Sequence, residues 1–165
     1  MLIRSEVTAD AQAIRILVTA AFQDAAHSSG TEADIVDALR AGEALTISLV
    51  AVEGGVVVGY VAFSSVTIAG KDFGWFGLGP VAVERSKRRR GIGQRLVEEG
   101  LSQLRSRGAS GCVVLGDPSY YGRFGFEPDP AITLVGVPAE YFQRLRLQGE
   151  QPVGEVVYHP AFGSA

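Results

Sequence analysis

The chain has 165 residues, of which 47% are hydrophobic and 20% charged, and its formal net charge is −3. This length and composition predict one globular domain over residues 1–165 and exclude a disordered chain. The acidity argues against a nucleic-acid partner, and no apolar run approaches the ~20 residues that a membrane span needs. Because the first residues lack signal-peptide features and the single cysteine, Cys112, lies in an apolar stretch, we expect a cytoplasmic protein.

The first half of the chain is predicted to contain a strand, two helices and three further strands. The first strand covers residues 2–7, and the helices run from residue 8 or 10 to about 26 and over 31–42. The three further strands are expected at residues 47–52, 56–68 and 73–83. Since the connections between them are short and contain glycine, these strands should form an antiparallel meander.

A strand–helix–strand unit is predicted next. Apolar residues from 92 to 104 form one stripe of a helix that ends at Gly108, and a buried strand covers residues 112–115. The crossover helix makes the strands before and after it parallel. The remaining elements are expected to be a strand near Ile132, a helix over 139–146 and a strand over 153–158. The predicted fold class is therefore α/β, with a mixed sheet in which an antiparallel meander precedes one parallel crossover.

The strongest functional signal is a basic cluster between the strand at 73–83 and the helix that follows it. Six of the fifteen Lys and Arg residues lie between Arg85 and Arg95. A helix N-terminus presents unpaired N–H groups and a partial positive charge, which bind phosphates. Gly91 and Gly93 allow the backbone to approach an anion closely. The segment therefore predicts a site for a phosphorylated ligand.

Two common phosphate-binding motifs do not fit this segment. A Walker loop, G-x-x-x-x-G-K-[ST], is absent from the chain. A dinucleotide fingerprint, G-x-G-x-x-G, would need a third glycine where Leu96 stands.

The segment instead resembles the signature Q/R-x-x-G-x-G/A of the GCN5-related N-acetyltransferase (GNAT) superfamily. The matching residues are Arg88, Arg89, Arg90, Gly91, Ile92 and Gly93. The resemblance implies that acetyl-CoA is the cosubstrate, without a metal, and that the loop amides as far as Gln94 hold its pyrophosphate. It also implies that Val81 and Val83 bind the pantetheine arm in a gap between the fourth and fifth strands of a GNAT-like fold. Gly79 and Pro80 agree with such a splayed cleft, because they interrupt a long strand.

A second segment, residues 116–126, contains two adjacent tyrosines. In the GNAT family a tyrosine commonly stands four residues before a Gly-Phe pair, and Tyr121 holds that position here. The resemblance implies that Tyr121 is a general acid for the leaving thiolate. Tyr120 is predicted to be a packing aromatic. Asp117 stands near the place where the family often has Asn, a departure that suggests a subgroup of small bacterial acetyltransferases.

The sequence assigns no general base. Residues 73–79, where some family members place a glutamate, contain no acid, and Asp72 and Glu84 only flank that stretch. Other acidic and histidine side chains are expected to have surface, capping or turn roles. They are His27, Glu32, Asp34 and His159.

The favoured hypothesis is transfer of an acetyl group from acetyl-CoA to a primary amine, by direct attack in a ternary complex. The expected acceptor is a small-molecule or peptide amine, and the protein is expected to be a monomer or homodimer. An alternative from a different functional class is a non-catalytic acyl-CoA-binding sensor on the same fold. The acidic overall charge disfavours a third hypothesis, an RNA contact at the basic loop.

Overall fold

The computed structural model describes residues 1–23 and 30–163, which form a mixed sheet with helices on both faces. The strands are β1 (Leu2–Ser5), β2 (Ile47–Glu53), β3 (Val56–Ile68), β4 (Trp75–Val83), β5 (Gly111–Leu115), β6 (Glu127–Pro128), β7 (Ile132–Thr133), β8 (Phe142–Arg146) and β9 (Gly154–Tyr158). The helices are α1 (Ala11–Phe22), α2 (Glu32–Ala41), α3 (Ile92–Ser106) and α4 (Pro118–Tyr121). The sheet order is β1-β2-β3-β4-β5-β8-β6, and β9 pairs with the far end of β3 and with β7.

The predicted antiparallel meander is present in β2, β3 and β4. These strands pair in chain order because the turns between them are short, and β1 adds to the outer side of β2. Most of β3 is buried on both of its faces. A strand with both faces buried needs a layer of structure on each side, and the helices supply those layers.

Helices α1 and α2 cover one face of the meander, and α3 covers the other. Ile14 of α1 and Val36 of α2 pack in one apolar cluster with Tyr60 of β3. Leu96 of α3 packs in the opposite cluster with Val61, the next residue of β3. This alternation follows from the two-residue period of a strand. Full burial of one such side chain contributes roughly 1.5–3 kcal/mol, so the two clusters hold the sheet and helices together.

The strands β4 and β5 are parallel and are joined by α3, as predicted, but they pair over only part of their length. Their pairs run from Trp75 with Gly111 to Leu78 with Val114. Beyond this point β4 continues to Val83 without pairing to β5. A cleft therefore opens between the two strands, as expected from the sequence.

A bulge in β4 lies where the two strands part. β4 has two residues, Gly79 and Pro80, where β3 has only one between Val61 and Phe63. An extra residue on one strand bends that strand and ends regular pairing. The interruption predicted from the glycine and proline is thus present, and it directs the second half of β4 away from β5.

The C-terminal part of the sheet corrects one prediction. Residues 139–146 do not form a helix: a single 3-10 turn at Ala139–Tyr141 leads into strand β8. All five residues of β8 pair with β5. The exposed edge of β5 offers backbone hydrogen bonds to a distant segment, and this non-local pairing outweighs the helical preference of residues 139–146. The strands predicted near Ile132 and at the C-terminus are present as β7 and β9.

The first helix begins slightly later than the sequence predicts. Residues Thr8–Asp10 form a 3-10 turn, and α1 starts at Ala11 and ends at Phe22. The predicted extension to residue 26 lies outside the described residues. No helix in the described ranges, 1–23 and 30–163, combines the length and apolar character needed to cross a membrane.

Candidate active site

The second half of β4 presents an open backbone edge to the cleft. The N–H of Glu84 donates to the carbonyl of Val58 on β3 at 2.8 Å. Because hydrogen-bonding residues alternate in an antiparallel pair, Ala82 also bonds toward β3, whereas the backbone groups of Val81 and Val83 point to the other side. In the described part of the chain no strand pairs with that side. The edge is therefore available to a ligand that lies along β4.

A basic loop connects this edge to helix α3. A 3-10 turn at Arg85–Lys87 follows β4, and both Arg89 and Gly91 then take left-handed conformations, with φ of 65° and 79°. Gly91 reaches this conformation without the strain that a Cβ would add. It is the N-cap of α3, and the first helical bond runs from the N–H of Arg95 to its carbonyl. The N–H groups of the first helical turn are therefore left for an external acceptor.

The loop and the start of α3 enclose a concavity of about 360 Å³, here called the basic cavity. Its lining residues are Val83, Lys87, Arg88, Arg89, Gly91, Ile92, Gly93, Gln94, Tyr120 and Arg123. Most of the residues predicted to hold phosphate are thus together. Two of the lining residues, Tyr120 and Arg123, lie outside the predicted loop. A basic residue within the YYGRFGF segment was the only sequence signal for this pair, and it points to no particular place in the fold.

The cations of the loop are held in different ways. Arg88 donates to the carbonyls of Val83 at 3.3 Å and of Ala21 at 3.1 Å. Arg90 does not line the basic cavity, and it pairs with Glu53 at 3.2 Å. Arg89 is exposed and makes no hydrogen bond or ion pair with the rest of the described chain. Of the three arginines, Arg89 therefore has the guanidinium that is least committed within the protein.

Glu53 balances part of the positive charge beside the loop. Its carboxylate accepts from Lys87 at 3.1 Å as well as from Arg90. The hydrogen bond from Lys87 and then the one from Arg90 lower the pKa of Glu53 below its usual value. The group is therefore ionised at neutral pH. These partly exposed pairs orient the loop more than they stabilise the fold.

Arg123 joins the far wall of the basic cavity to α3. Its guanidinium carbon lies 4.4 Å from the centre of the Tyr120 ring, and its Nη1 donates to Gln94 Oε1 at 3.2 Å. The cation thus stacks on an aromatic face while its edge remains directed to polar groups. This contact brings the positive charge of the tyrosine segment to the same cavity as the loop.

A second concavity, of about 480 Å³, lies at the other end of the open edge and is here called the aromatic cavity. Its lining residues are Phe22, Glu32, Ile35, Leu78, Gly79, Pro80, Val81, Leu115, Tyr121, Leu134, Tyr158 and Phe162. Val81 lines this cavity and Val83 lines the basic one. Two residues along a strand span roughly 7 Å, so the edge of β4 directly connects the two cavities.

Tyr121 is held firmly in the wall of the aromatic cavity. Its ring makes edge-on contacts with Tyr120 and Phe126, at centroid distances of 5.0 and 6.1 Å. The other side of the ring lies on Gly116, where an added Cβ would come within 2.4 Å of Cε2. Burial raises the pKa of Tyr121 to about 12. The phenol is therefore protonated at neutral pH and is available as a proton donor.

The backbone of Gly116 is anchored on both sides. Its N–H donates to the carbonyl of Tyr141 at 2.9 Å, and its carbonyl accepts from Gln143 Nε2 at 3.1 Å. Gln143 is almost fully buried, and its Oε1 has no hydrogen-bond partner in the described chain. A buried amide that holds a glycine carbonyl fixes the floor on which Tyr121 rests. Sequence reasoning missed Gln143, because it placed residues 139–146 in a helix.

Asp117 has a local structural role. Its carboxylate accepts from the N–H of Ser119 at 2.9 Å and from Ser119 Oγ at 2.8 Å, which caps α4. These bonds lower the pKa of Asp117. The side chain that stands in place of the family's Asn is thus used to start the short helix that carries Tyr121.

The other acidic and histidine candidates divide into two groups. Asp72 accepts from the N–H of Gly74, Glu84 from that of Ser86, and His159 from that of Ala161. These three side chains each cap the start of a turn, and a turn role is the one expected for His159. In contrast, Glu32 of α2 lines the aromatic cavity.

The remaining candidates near α2 do not enter either cavity. Asp34 forms an ion pair with Arg15 at 2.8 Å on the surface. His27 lies outside the described residues. Cys112 is fully buried in the apolar core, and burial raises the pKa of its thiol. This agrees with the structural role expected from the sequence. Within residues 1–23 and 30–163, no three His, Cys, Asp or Glu side chains are grouped so that they could hold a metal ion.

Comparison with known proteins identifies relatives over most of the chain. The family described as "Acetyltransferase (GNAT) domain" matches residues 3–128. The protein named "Uncharacterized N-acetyltransferase YhbS" of Escherichia coli K12 is 44% identical over 128 residues, which are 77% of this chain and 74% of that protein. A second Escherichia coli protein, named "Uncharacterized N-acetyltransferase YjhQ", is 35% identical over 80% of this chain and 71% of its own length.

Two solved structures share both fold and sequence with this chain. A GNAT family acetyltransferase from Brucella melitensis, solved with acetyl-CoA, has a TM-score of 0.88 and 50% identity, covering 98% of this chain and 97% of its own. The structure of Escherichia coli YhbS with CoA has a TM-score of 0.91 and 38% identity, covering 99% and 92%. The parted strands β4 and β5, the glycine-containing loop before α3 and these matches agree, and the chain belongs to the GNAT acetyltransferase family.

Proposed function

We propose that this protein transfers an acetyl group from acetyl-CoA to a primary amine. The observation that carries the proposal is the continuity of the two cavities along β4. A cationic pocket for phosphates and a mainly apolar pocket with a partly buried phenol lie at opposite ends of one open strand edge. A ligand with phosphates at one end and a thioester at the other fits this arrangement. The relatives solved with acetyl-CoA or CoA support that assignment.

The residues of the basic cavity suit the phosphate end of acetyl-CoA. The N–H groups of Ile92, Gly93 and Gln94 at the start of α3 are free of intrahelical partners and would bind the pyrophosphate. Gly93 leaves room for this, since the nearest atom to an added Cβ is 3.4 Å away, at the Tyr120 hydroxyl. Arg88 and Arg89 would add charge-assisted bonds, and Arg90 would act indirectly through Glu53.

The open edge of β4 suits the arm that joins the two ends. The N–H and C=O groups of Val81 and Val83 would pair with amide groups of the pantetheine arm in the manner of a strand. When bound, acetyl-CoA supplies an acetyl group activated as a thioester. The N–H of Val81 would donate to the acetyl oxygen as negative charge develops on it. Pro80, which lacks an N–H, leaves Val81 as the nearest donor on that side of the bulge.

Tyr121 would assist departure of the thiolate. Complete proton transfer from a phenol of pKa about 12 to a thiolate of ordinary pKa near 8.5 is uphill by about 5 kcal/mol. Tyr121 would therefore act mainly by donating a hydrogen bond to the sulfur while the C–S bond breaks. Its proton would pass to the sulfur only as the phenol regains a proton that the amine nitrogen releases. This requirement explains why the ring must be held rigidly on Gly116 and Phe126.

The test is the substitution Tyr121→Phe, which removes the hydroxyl and preserves the ring packing. We expect kcat to fall about a hundredfold, the lower range for loss of a proton donor, with unchanged affinity for acetyl-CoA. Thiol release over a panel of amines measures turnover, and calorimetry measures binding. The matched control Tyr120→Phe keeps the aromatic contacts and leaves the phenol of Tyr121 in place.

The two measurements also separate the proposal from its alternative. Acetyl-CoA binding without turnover of any amine would favour a non-catalytic acyl-CoA sensor. Unchanged turnover in Tyr121→Phe would eliminate the role given to Tyr121. Loss of acetyl-CoA binding in this variant would show that the phenol serves the cofactor and not the chemical step.

A further inference from the structure

The aromatic cavity has a composition that restricts the acceptor. Four of its described lining residues are aromatic, namely Phe22, Tyr121, Tyr158 and Phe162. Tyr158 and Phe162 form a continuous wall, with their ring centres 5.1 Å apart. Such a wall buries an apolar body and also attracts a cation to the ring faces.

Glu32 is the single charged residue among the described residues that line this cavity. It is in the first turn of α2, and Ile35 lies on the same face of that helix one turn later. No Lys, Arg or His appears in the described lining. Among the described residues, the cavity therefore combines an apolar wall with one negative charge and has no cationic side chain to pair with a carboxylate of the acceptor.

We propose that the acceptor is a monoamine with an apolar or aromatic body and without a carboxylate beside the amine, and that Glu32 binds its ammonium group. The inference rests on the proposed acetyl transfer. An amino acid would have to bury its carboxylate near Glu32 without a cationic partner among the described lining residues, which costs binding free energy. A polyamine or an aminoglycoside would bring several charges or hydroxyl groups to this cavity, where Glu32 is the one charged partner among the described lining residues.

The bound ammonium first loses a proton to solvent, and the neutral nitrogen then forms the new N–C bond to the acetyl carbon. The C–S bond breaks with its electron pair on sulfur. The nitrogen loses a second proton, and one proton ends on the sulfur, delivered through the hydroxyl of Tyr121. Glu32 is an acceptor-binding residue in this scheme, so its loss should act on KM more than on kcat.

The experiment compares 2-phenylethylamine with L-phenylalanine, L-phenylalaninamide and spermidine as acceptors for the full chain with acetyl-CoA. The first three share an aromatic body and an amine and differ in the carboxylate. We expect kcat/KM for 2-phenylethylamine and for the amide to exceed that for L-phenylalanine and for spermidine at least tenfold. In Glu32→Gln, KM for 2-phenylethylamine should rise about tenfold, with little change in kcat, because a charge-assisted contact is lost.

The matched control is Asp34→Asn, which neutralises a carboxylate on the same turn of α2 that faces Arg15 on the surface. It should leave KM unchanged, and circular dichroism checks that both variants fold. A preference for L-phenylalanine or spermidine, or equal effects of the two substitutions, would overturn the inference. Acetyl-CoA binding without turnover of 2-phenylethylamine would overturn it as well and leave cofactor binding intact. Failure to bind acetyl-CoA at all would overturn the proposed function itself.

Discussion

The two cavities at the ends of the β4 edge are built on opposite physical principles. The basic cavity is lined by four cationic side chains and the start of a helix. The aromatic cavity is lined mostly by apolar groups, and burial there raises the pKa of Tyr121 to about 12. Charges near water attract phosphates over a distance but are screened by salt, whereas groups removed from water act at short range and depend on exact placement. Binding is therefore expected to depend on charge in one cavity, and chemistry on packing in the other.

The adjacent residues Tyr120 and Tyr121 illustrate this division. Tyr120 lines the basic cavity under the guanidinium of Arg123, and Tyr121 lines the aromatic cavity. Neighbours on a short helix point in different directions, so one helical turn serves both sites. Substitution of Tyr120 should therefore affect acetyl-CoA binding, and substitution of Tyr121 should affect the chemical step.

The largest effect is expected from Gly116→Ala, which disturbs the packing of the aromatic cavity. The new Cβ would lie 2.4 Å from Cε2 of Tyr121 and would displace the ring. We expect kcat to fall about tenfold to a hundredfold and the free energy of unfolding to fall by about 1–3 kcal/mol, while acetyl-CoA still binds. Steady-state kinetics and thermal unfolding measure these changes.

The control for this substitution is Gly122→Ala, six positions later in the chain, where the surrounding space is open. An added Cβ at Gly122 meets no atom within 4 Å, so kcat should be retained. If Gly116→Ala is as active as the parent protein, the placement of Tyr121 does not limit turnover.

The basic cavity is tested by Gly93→Ala, for which the next largest effect is expected. In the free protein the added Cβ would make only ordinary contacts, of 3.4 Å or more. Since Gly93 lies within α3, alanine should raise the free energy of unfolding by up to about 1 kcal/mol. In the complex the same Cβ would occupy the space next to the pyrophosphate, so we expect the Kd for acetyl-CoA to rise at least tenfold. Calorimetry should thus show weaker acetyl-CoA binding, while thermal unfolding shows a more stable free protein.

Gly91→Ala provides the contrast within the same loop. Gly91 has a φ of 79°, and alanine there is strained whether or not a ligand is bound. It should therefore lower the free energy of unfolding. Unchanged acetyl-CoA affinity in Gly93→Ala would remove the first turn of α3 from the phosphate site.

The smallest effect is expected from Arg89→Gln. Its guanidinium is exposed and uncommitted within the described chain, so the substitution should cost little stability. We expect the Kd for acetyl-CoA to rise roughly threefold to tenfold at low salt and the difference from the parent protein to shrink at high salt. The KM for the amine should not follow the same salt dependence. Arg95→Gln, outside the described lining of the basic cavity, is the control. An equal rise of the Kd in that variant would mean that acetyl-CoA binding depends on the overall positive charge and not on the position of Arg89.

Much of the fold and the basic loop could be predicted from the sequence because their signals are local. The meander follows from short glycine turns, and helix α3 follows from one apolar stripe that now packs in the core around Leu96. The helix predicted over residues 139–146 was wrong, because β8 is stabilised by pairing with β5 across a long separation in the chain. A prediction from local preference does not include the free energy of pairing between strands that are distant in the chain. The assignment of one domain to residues 1–165 and the roles of the loop residues and Tyr121 stay predictions.

The position of basic residues and glycines between a strand and a helix can be read from the sequence alone, since charge, backbone freedom and apolar period are properties of neighbouring residues. The side chains that complete the two cavities are brought together by the fold. Arg123 reaches Gln94 of α3, Gln143 holds the carbonyl of Gly116, and Glu32 lines the aromatic cavity. These contacts join residues that are far apart in the chain. They arise from the order of the strands in the sheet, which no local pattern encodes.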